Sequence, residues 1–273
     1  EMITIELGAD GPNLDEVEKL VASDASIKGM WCVPKYSNPT GNTYSDRTVE
    51  RLAGMQTAAP DFRLFWDNAY AVHDLYAEGD RLKNVLEACK SAGNENRALV
   101  FGSTSKISFA GAGIAAMAAS PANVADAKKH LGLQTIGPDK LNQLRHAAFF
   151  KDYAGVLAHM KRHAEILRPK FEAVTALFEQ ELGGKGIATW TKPRGGYFIS
   201  LDTLDGCAKE VVSLANQAGV KLTAAGATFP YGKDPRDRNI RIAPSLPPLD
   251  QIRVAMEIVG VCVGLSSVRK LLA

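Results

Sequence analysis

An α/β fold with a mainly parallel sheet and flanking helices, followed by a small α+β domain, is what the sequence predicts. Three observations predict it. Short apolar runs alternate with helical stretches through the first half of the chain, the order that builds a parallel sheet. The polar residues that stand out in that half fall just after the apolar runs, at the carboxyl ends of strands, where open α/β sheets bind ligands. After Gly183-Gly184 the texture changes to short strands and helices. The layout expected is residues 1–137 as the C-terminal part of a large domain, 138–182 as a long helical segment between domains, and 183–273 as the small domain.

Each element has its own signal. Met2–Leu7 alternates apolar and polar residues as a strand does. Residue 1 is not Met and no signal-peptide pattern follows it, so a piece of a longer protein, lacking the front of its first domain, is expected. Asn13–Ala22 has helical spacing, with Leu14, Val17 and Leu20 or Val21 on one face. Lys28–Val33 is predicted to be a buried strand that ends at Pro34, and Asp46 to cap a helix running to about Ala58. Phe62–Trp66, Ala98–Gly102 and Ile114–Ala118 read as further strands. Pro138–Glu181 is helical in pattern, with Pro169 as a candidate kink. Ile187–Thr191 and Gly196–Leu201 read as a hairpin, Ala208–Ala218 as a helix, Lys221–Thr223 and Ile240–Ile242 as short strands, and Pro248–Leu265 as a final helix.

Composition narrows the function classes. Of 273 residues, 46% are apolar and 23% charged, ordinary for a globular protein. The net charge of +2, with no run of like charge, argues against a nucleic-acid or membrane-surface protein. Cys32, Cys89, Cys207 and Cys262 are far apart, which fits reduced thiols in a cytoplasmic protein rather than a disulfide framework or a zinc site. No stretch of about 18 apolar residues predicts a membrane span. Gly111-x-Gly113-x-x-Ala116 imitates a dinucleotide fingerprint, but a strand rather than a helix is expected to follow it. The five histidines form no constellation, surface or helix-packing roles suit them, and no metal site is expected.

The candidates for chemistry are few. Lys106, in Ser103-Thr104-Ser105-Lys106, follows a strand directly. One reading makes it a rim lysine that extends its head to water. The other makes it a desolvated amine able to attack an aldehyde and form a Schiff base, with Ser103 and Ser105 beside it to hold an anion such as phosphate. Asp67 caps a turn, or else serves as the carboxylate that a pyridoxal phosphate site needs opposite the pyridine nitrogen. Tyr70, three residues on, is a core tyrosine or the donor to that ring's phenolic oxygen. Asn38-Pro39-Thr40-Gly41 reads as a turn, and its side-chain amide could also touch cofactor and substrate. Arg241 lies within a short apolar strand and needs an anionic partner. That partner is either a nearby Asp or Glu or a ligand carboxylate gripped by the guanidinium fork.

The order Asn38-Pro39-x-Gly41, Asp67-x-x-Tyr70, Ser103-x-Ser105-Lys106, Arg241 resembles the fold-type-I pyridoxal-phosphate aminotransferases, and Gly195-Gly196-Tyr197-Phe198 is similar to that family's glycine-aromatic strand. The string from Ser105 to Gly113 is similar to the MocR-related branch, which includes unusual aspartate aminotransferases. The resemblance covers nearly the whole chain. It implies that Lys106 forms the Schiff base and shuttles a proton, that Asp67 pairs with the pyridine nitrogen, and that Tyr70 and Asn38 hold the phenolic oxygen. It further implies that Ser103 and Ser105 bind phosphate, that Arg241 and Asn38 bind the substrate carboxylate, and that the Asn38-Pro39 bond is a candidate for cis. Substrates would be an α-amino acid, with aspartate and glutamate as candidates, and an α-keto acid, and the protein a cytoplasmic homodimer. A substrate with a second carboxylate needs a second cation, for which Lys192, Arg194 and the partner subunit are candidates.

Two departures stand out. Common members carry a phosphate-binding arginine about eight residues after the lysine, where this chain has Ile114. Members also have a preceding segment that supplies a phosphate loop, an aromatic stacked on the ring and dimer contacts. Three other readings remain at this point: a lyase or decarboxylase on the same scaffold, the effector domain of a MocR-type transcription regulator, and a degenerate fragment without activity.

Overall fold

The computed structural model describes residues 1–273. A short hairpin of β1 (Leu7–Gly8) and β2 (Gly11–Pro12) opens the chain. Met2–Ile5 form no strand, because no neighbouring strand pairs with them. Helix α1 (Leu14–Ser23) starts at Asn13, whose side chain accepts from the Glu16 amide, and it buries Leu14, Val17 and Val21. Helix α2 (Asp46–Gly54) starts one residue earlier than expected. Ser45 is the extended cap that accepts from the Thr48 amide, so Asp46 is already helical. The helix also stops short of Ala58, whose amide is committed to Val21 of α1.

β3 (Gly29–Cys32), β4 (Arg63–Asp67), β5 (Ala98–Ser103) and β6 (Ala115–Ala119) form one sheet in that order. The β3–β4 and β4–β5 ladders are parallel and β5–β6 is antiparallel. The sheet is therefore mainly parallel, with an antiparallel edge. β6 doubles back because only the loop from Thr104 to Ile114 separates it from β5, too short for a helical crossover. β3 is not buried on both faces. Cys32 is fully buried, but Trp31 is 65% exposed. Trp31 stacks on Phe65, and Phe65 on Phe101, with centroids 5.9 and 6.5 Å apart. The opposite face packs Leu64, Trp66 and Ala98 against α1, α2 and the short helix α3 (Val85–Ser91), forming the first core.

Three helices follow: α4 (Pro121–Gln134), α5 (Lys140–Phe150) and α6 (Tyr153–Leu182). α6 runs through Pro169 without ending there. β7 (Ala188–Trp190), β8 (Ile199–Thr203) and β9 (Asn239–Ile242) make an antiparallel three-stranded sheet, with α7 (Ala208–Gln217) between β8 and β9. Lys221–Thr223 is not a strand; it lies between Gly219 and Gly226, both at positive φ, and β9 pairs only with β8. The last helix, α8 (Leu249–Leu272), is long and apolar enough to cross a membrane by length and composition alone. Here it is a core helix that lays Ile252, Met256, Val259 and Val263 against Phe171, Val174 and Phe178 of α6 in the second core. Leu75, from the first half of the chain, is buried in that second core too.

Candidate active site

The parallel register sets up the site. Asp67, the last residue of β4, lies beside Phe101 of β5, so the loop that leaves β5 at Ser103 rises next to the loop that leaves β4. Beyond Asp67 the chain turns through Tyr70, which is buried at 3% exposure. The Lys106 ammonium sits over the Tyr70 ring, 5.3 Å from its centroid. Tyr70 meets Phe198 edge-on at 6.5 Å, and the Arg241 guanidinium lies over the Phe198 ring at 4.4 Å. Arg241 Nη1 in turn donates to Asn38 Oδ1 at 3.2 Å. A continuous series of contacts thus joins Lys106, Tyr70, Arg241 and Asn38, residues up to 203 apart in sequence.

The electrostatics agree with that placement. Burial pushes the Tyr70 phenol up to about 12; the Asp67 carboxylate adds to the shift and Arg241 opposes it. Tyr70 is therefore a neutral donor near pH 7. Arg241 makes no ion pair with any Asp or Glu. Its Nη2 touches only the Thr223 hydroxyl, at 3.5 Å, and its Nε is buried without a partner. The internal ion pair offered as one explanation of this arginine is absent. Asp67 likewise has no hydrogen-bonding or ion-pair partner, and Asn68 Oδ1 is buried and unpaired.

Other predicted residues are placed as follows. The Asn38-Pro39 bond is cis. The Ser103 hydroxyl accepts from the Ser105 amide at 3.3 Å, and Gly113 packs so closely on Ser105 that a Cβ there would press on its hydroxyl. Lys106 is exposed, so the desolvation expected of it is not supplied by these residues. Lys192 and Arg194 are committed elsewhere: Lys192 pairs with Glu179 at 3.0 Å, while Arg194 pairs with Asp80 at 3.3 Å and donates to the Glu78 carbonyl.

Three of the five histidines do more than the surface or helix-packing roles that the sequence suggests. His146 is buried, and its Nε2 lies 2.7 Å from Ser108 Oγ and 3.1 Å from Thr104 Oγ1. His159 Nε2 reaches the Ile107 carbonyl at 2.9 Å, and Asn142 donates to the Ala112 carbonyl at 2.7 Å. His73 Nε2 and the Tyr197 hydroxyl both meet the Lys106 carbonyl, at 3.1 and 2.8 Å. The lysine loop is therefore braced from four directions by residues 30 to 91 positions away. Only Tyr197 had any sequence signal, as part of the Gly195–Phe198 string, and that signal named no role.

Comparison with known proteins bears directly on this arrangement. A model of the aspartate amino-transferase family matches residues 1–273. The chain belongs to that family. A Corynebacterium glutamicum protein named aspartate aminotransferase is 48% identical over 98% of this chain and 62% of its own length. The crystal structure of an aspartate transaminase from Corynebacterium glutamicum superposes with a TM-score of 0.97 at 47% identity, covering 99% of this chain and 63% of that one. The α-aminoadipate aminotransferase LysN of Thermus thermophilus shares the fold, with a TM-score of 0.80 at 21% identity over 97% of this chain and 66% of its own. The chain spans 64% and 62% of the length of the first two curated relatives it matches. Relative to the family's usual pattern, the position about eight residues after the lysine is Ile114, whose backbone is used to close the lysine loop onto Thr104.

Proposed function

We propose that this chain carries the catalytic core of a pyridoxal-phosphate-dependent aminotransferase, moving an amino group between an α-amino acid and an α-keto acid. The observation that carries the reading is the convergence around Tyr70 of three charged groups that have no ion-pair partner: the Lys106 amine, the Asp67 carboxylate and the Arg241 guanidinium. Family membership and the names of the relatives support it. The residues fit the cofactor at its ring: an unpaired carboxylate, an amine and a phenol held neutral are the donor set that a protonated pyridine bearing an aldehyde and a phenolic oxygen calls for. At the phosphate the fit is by hydroxyls, Ser103 and Ser105, with no arginine from this loop.

Pyridoxal phosphate, when bound, supplies an electron sink for the pair released at the substrate Cα. Asp67 keeps the pyridine nitrogen protonated. Tyr70 and Asn38 donate to the phenolic oxygen, and Tyr70 can do so throughout the neutral range because its proton is held to about pH 12. Arg241 places its fork on the substrate α-carboxylate, which fills its empty donor positions. Lys106 would hold the cofactor through its amine and, when that amine is free, would be placed to take the proton from the substrate Cα.

The named substrate of the Corynebacterium relatives points to aspartate, with glutamate, which also carries a second carboxylate, as the other candidate. A second carboxylate needs a further cation. Lys192 and Arg194 are engaged on the surface, so we assign this role to the partner subunit of a homodimer. The test is a half-reaction screen of the full-length, cofactor-loaded protein. Each amino acid is added alone, and conversion to the pyridoxamine form is followed by absorbance. Aspartate or glutamate should convert the cofactor stoichiometrically. Release of ammonia or carbon dioxide without conversion would instead assign a lyase or decarboxylase.

A further inference from the structure

The main-chain carbonyl of Lys106 is an unusual meeting point. It accepts from the Tyr197 hydroxyl at 2.8 Å and faces His73 Nε2 at 3.1 Å. A carbonyl cannot donate, so the His73 proton must sit on Nε2, leaving Nδ1 bare. Nδ1 is indeed buried with no partner. The tautomer is fixed by geometry, and the ring has no other hydrogen bond to make.

The two donors come from different parts of the fold. His73 is reached from β4 through the Asp67–Tyr70 turn, and it is buried at 3% exposure. Tyr197 precedes β8, and its neighbours pack in the second core. The two segments are joined: Gly196 donates to the His73 carbonyl at 3.0 Å, Leu75 donates to the Arg194 carbonyl at 2.9 Å, and Asp74 bridges to Gly195. The aromatic rings interlock as well, with Tyr197 edge-on to His73 at 5.3 Å and to Tyr70 at 6.0 Å. Lys106 itself is exposed, and its ammonium lies over the Tyr70 ring with no hydrogen bond or ion pair of its own. Its direction is therefore set by its backbone, and that backbone is clamped at the one atom where both segments meet.

We propose that Tyr197 and His73 are positioning residues that act together through the Lys106 carbonyl, aiming the amine at the cofactor and substrate. Neither touches the reacting atoms. The proposal rests on the aminotransferase reading, since a lysine with no reaction to perform needs no aim. A carbonyl held by two donors costs more to move than one held by either alone, and small errors in placing a proton-transfer group are expensive in rate. The Phe198 ring, next to Tyr197, carries Arg241. The segment leading into β8 therefore positions both the substrate's anchor and the lysine's backbone.

The test uses the full-length, cofactor-loaded protein and three variants: Tyr197→Phe, His73→Phe and His73→Gln. Tyr197→Phe removes one oxygen and keeps the ring contacts. His73→Gln retains an N–H donor near the Nε2 position. Tyr197→Phe and His73→Phe should each lower kcat by about 3- to 10-fold, the loss of one hydrogen bond expressed as rate, with KM close to wild type. Both should also shift the pH midpoint of the visible band of the lysine-bound cofactor, and His73→Gln should recover most of both effects. Wild-type kcat and midpoint in Tyr197→Phe and His73→Phe overturn the proposal. So does a His73→Gln variant as impaired as His73→Phe at wild-type thermal stability. A full-length protein whose visible band survives Lys106→Ala overturns the functional reading itself, an outcome distinct from either of these.

Discussion

His73 shows how one buried side chain couples the site to the stability of the fold. Its ordinary pKa of 6.5 is lowered to about 4, chiefly by burial; Lys106 and His163 oppose its protonation further, while the Lys106 carbonyl and Asp74 favour it. The unfolded chain takes up this proton near pH 6.5 and the folded chain refuses it until about pH 4. Stability fully present above pH 6.5 is therefore lost as the pH falls through that window, by up to about 3 kcal/mol from this residue alone. Denaturant unfolding of wild type and His73→Gln at pH 7 and pH 4.5 should show a smaller acid loss in the variant, and equal losses would remove His73 from the account. At this scale the sequence was partly legible. Asn38, Asp67, Tyr70, Lys106 and Arg241 could be picked out because each stands in a short string with chemistry of its own. His73, His146 and His159 could not, because their role is to reach loop atoms far away in sequence, and no local pattern records that.

Among the elements, the junction of residues 73–75 with 194–196 matters most, because it ties the loop after β4 to the segment leading into β8. Gly195 is required there: an added Cβ would collide with the Tyr36 ring, which is 1% exposed and whose hydroxyl donates to Asp74 at 2.5 Å. Gly195→Ala should lower stability by about 1–3 kcal/mol through overpacking, read as a fall in thermal midpoint, and should slow turnover by displacing Tyr197. An unchanged midpoint would mean that Tyr36 moves aside freely. Element type was legible wherever one face is apolar and capped, as in α1 and α2. α4 escaped because it buries no residue and so shows no stripe. The antiparallel direction of β6 escaped because strand direction is decided by the length of the preceding loop, which a run of small residues does not reveal.

In the whole molecule, two cores share one site. The carboxyl ends of β4 and β5 supply Asp67, Tyr70 and Lys106, while β9 supplies Arg241. We take the two cores as the two domains of the protein, joined by α6 and by the insertion of Leu75 into the second core. The α/β class was legible from the alternation of elements. The exposed faces were not: Trp31, Phe109, Leu133, Ile136, Leu141 and Phe149 are each more than half exposed in a chain that spans under two thirds of its curated relatives. The central claim, that Lys106 holds the cofactor covalently, has a direct test. The full-length protein is loaded with pyridoxal phosphate, reduced with borohydride, digested and analysed by mass spectrometry. A reduced phosphopyridoxyl group is expected on Lys106, and it should be lost from the protein when Lys106→Ala is treated in the same way. A label on another lysine, with Lys106 unmodified, would contradict it.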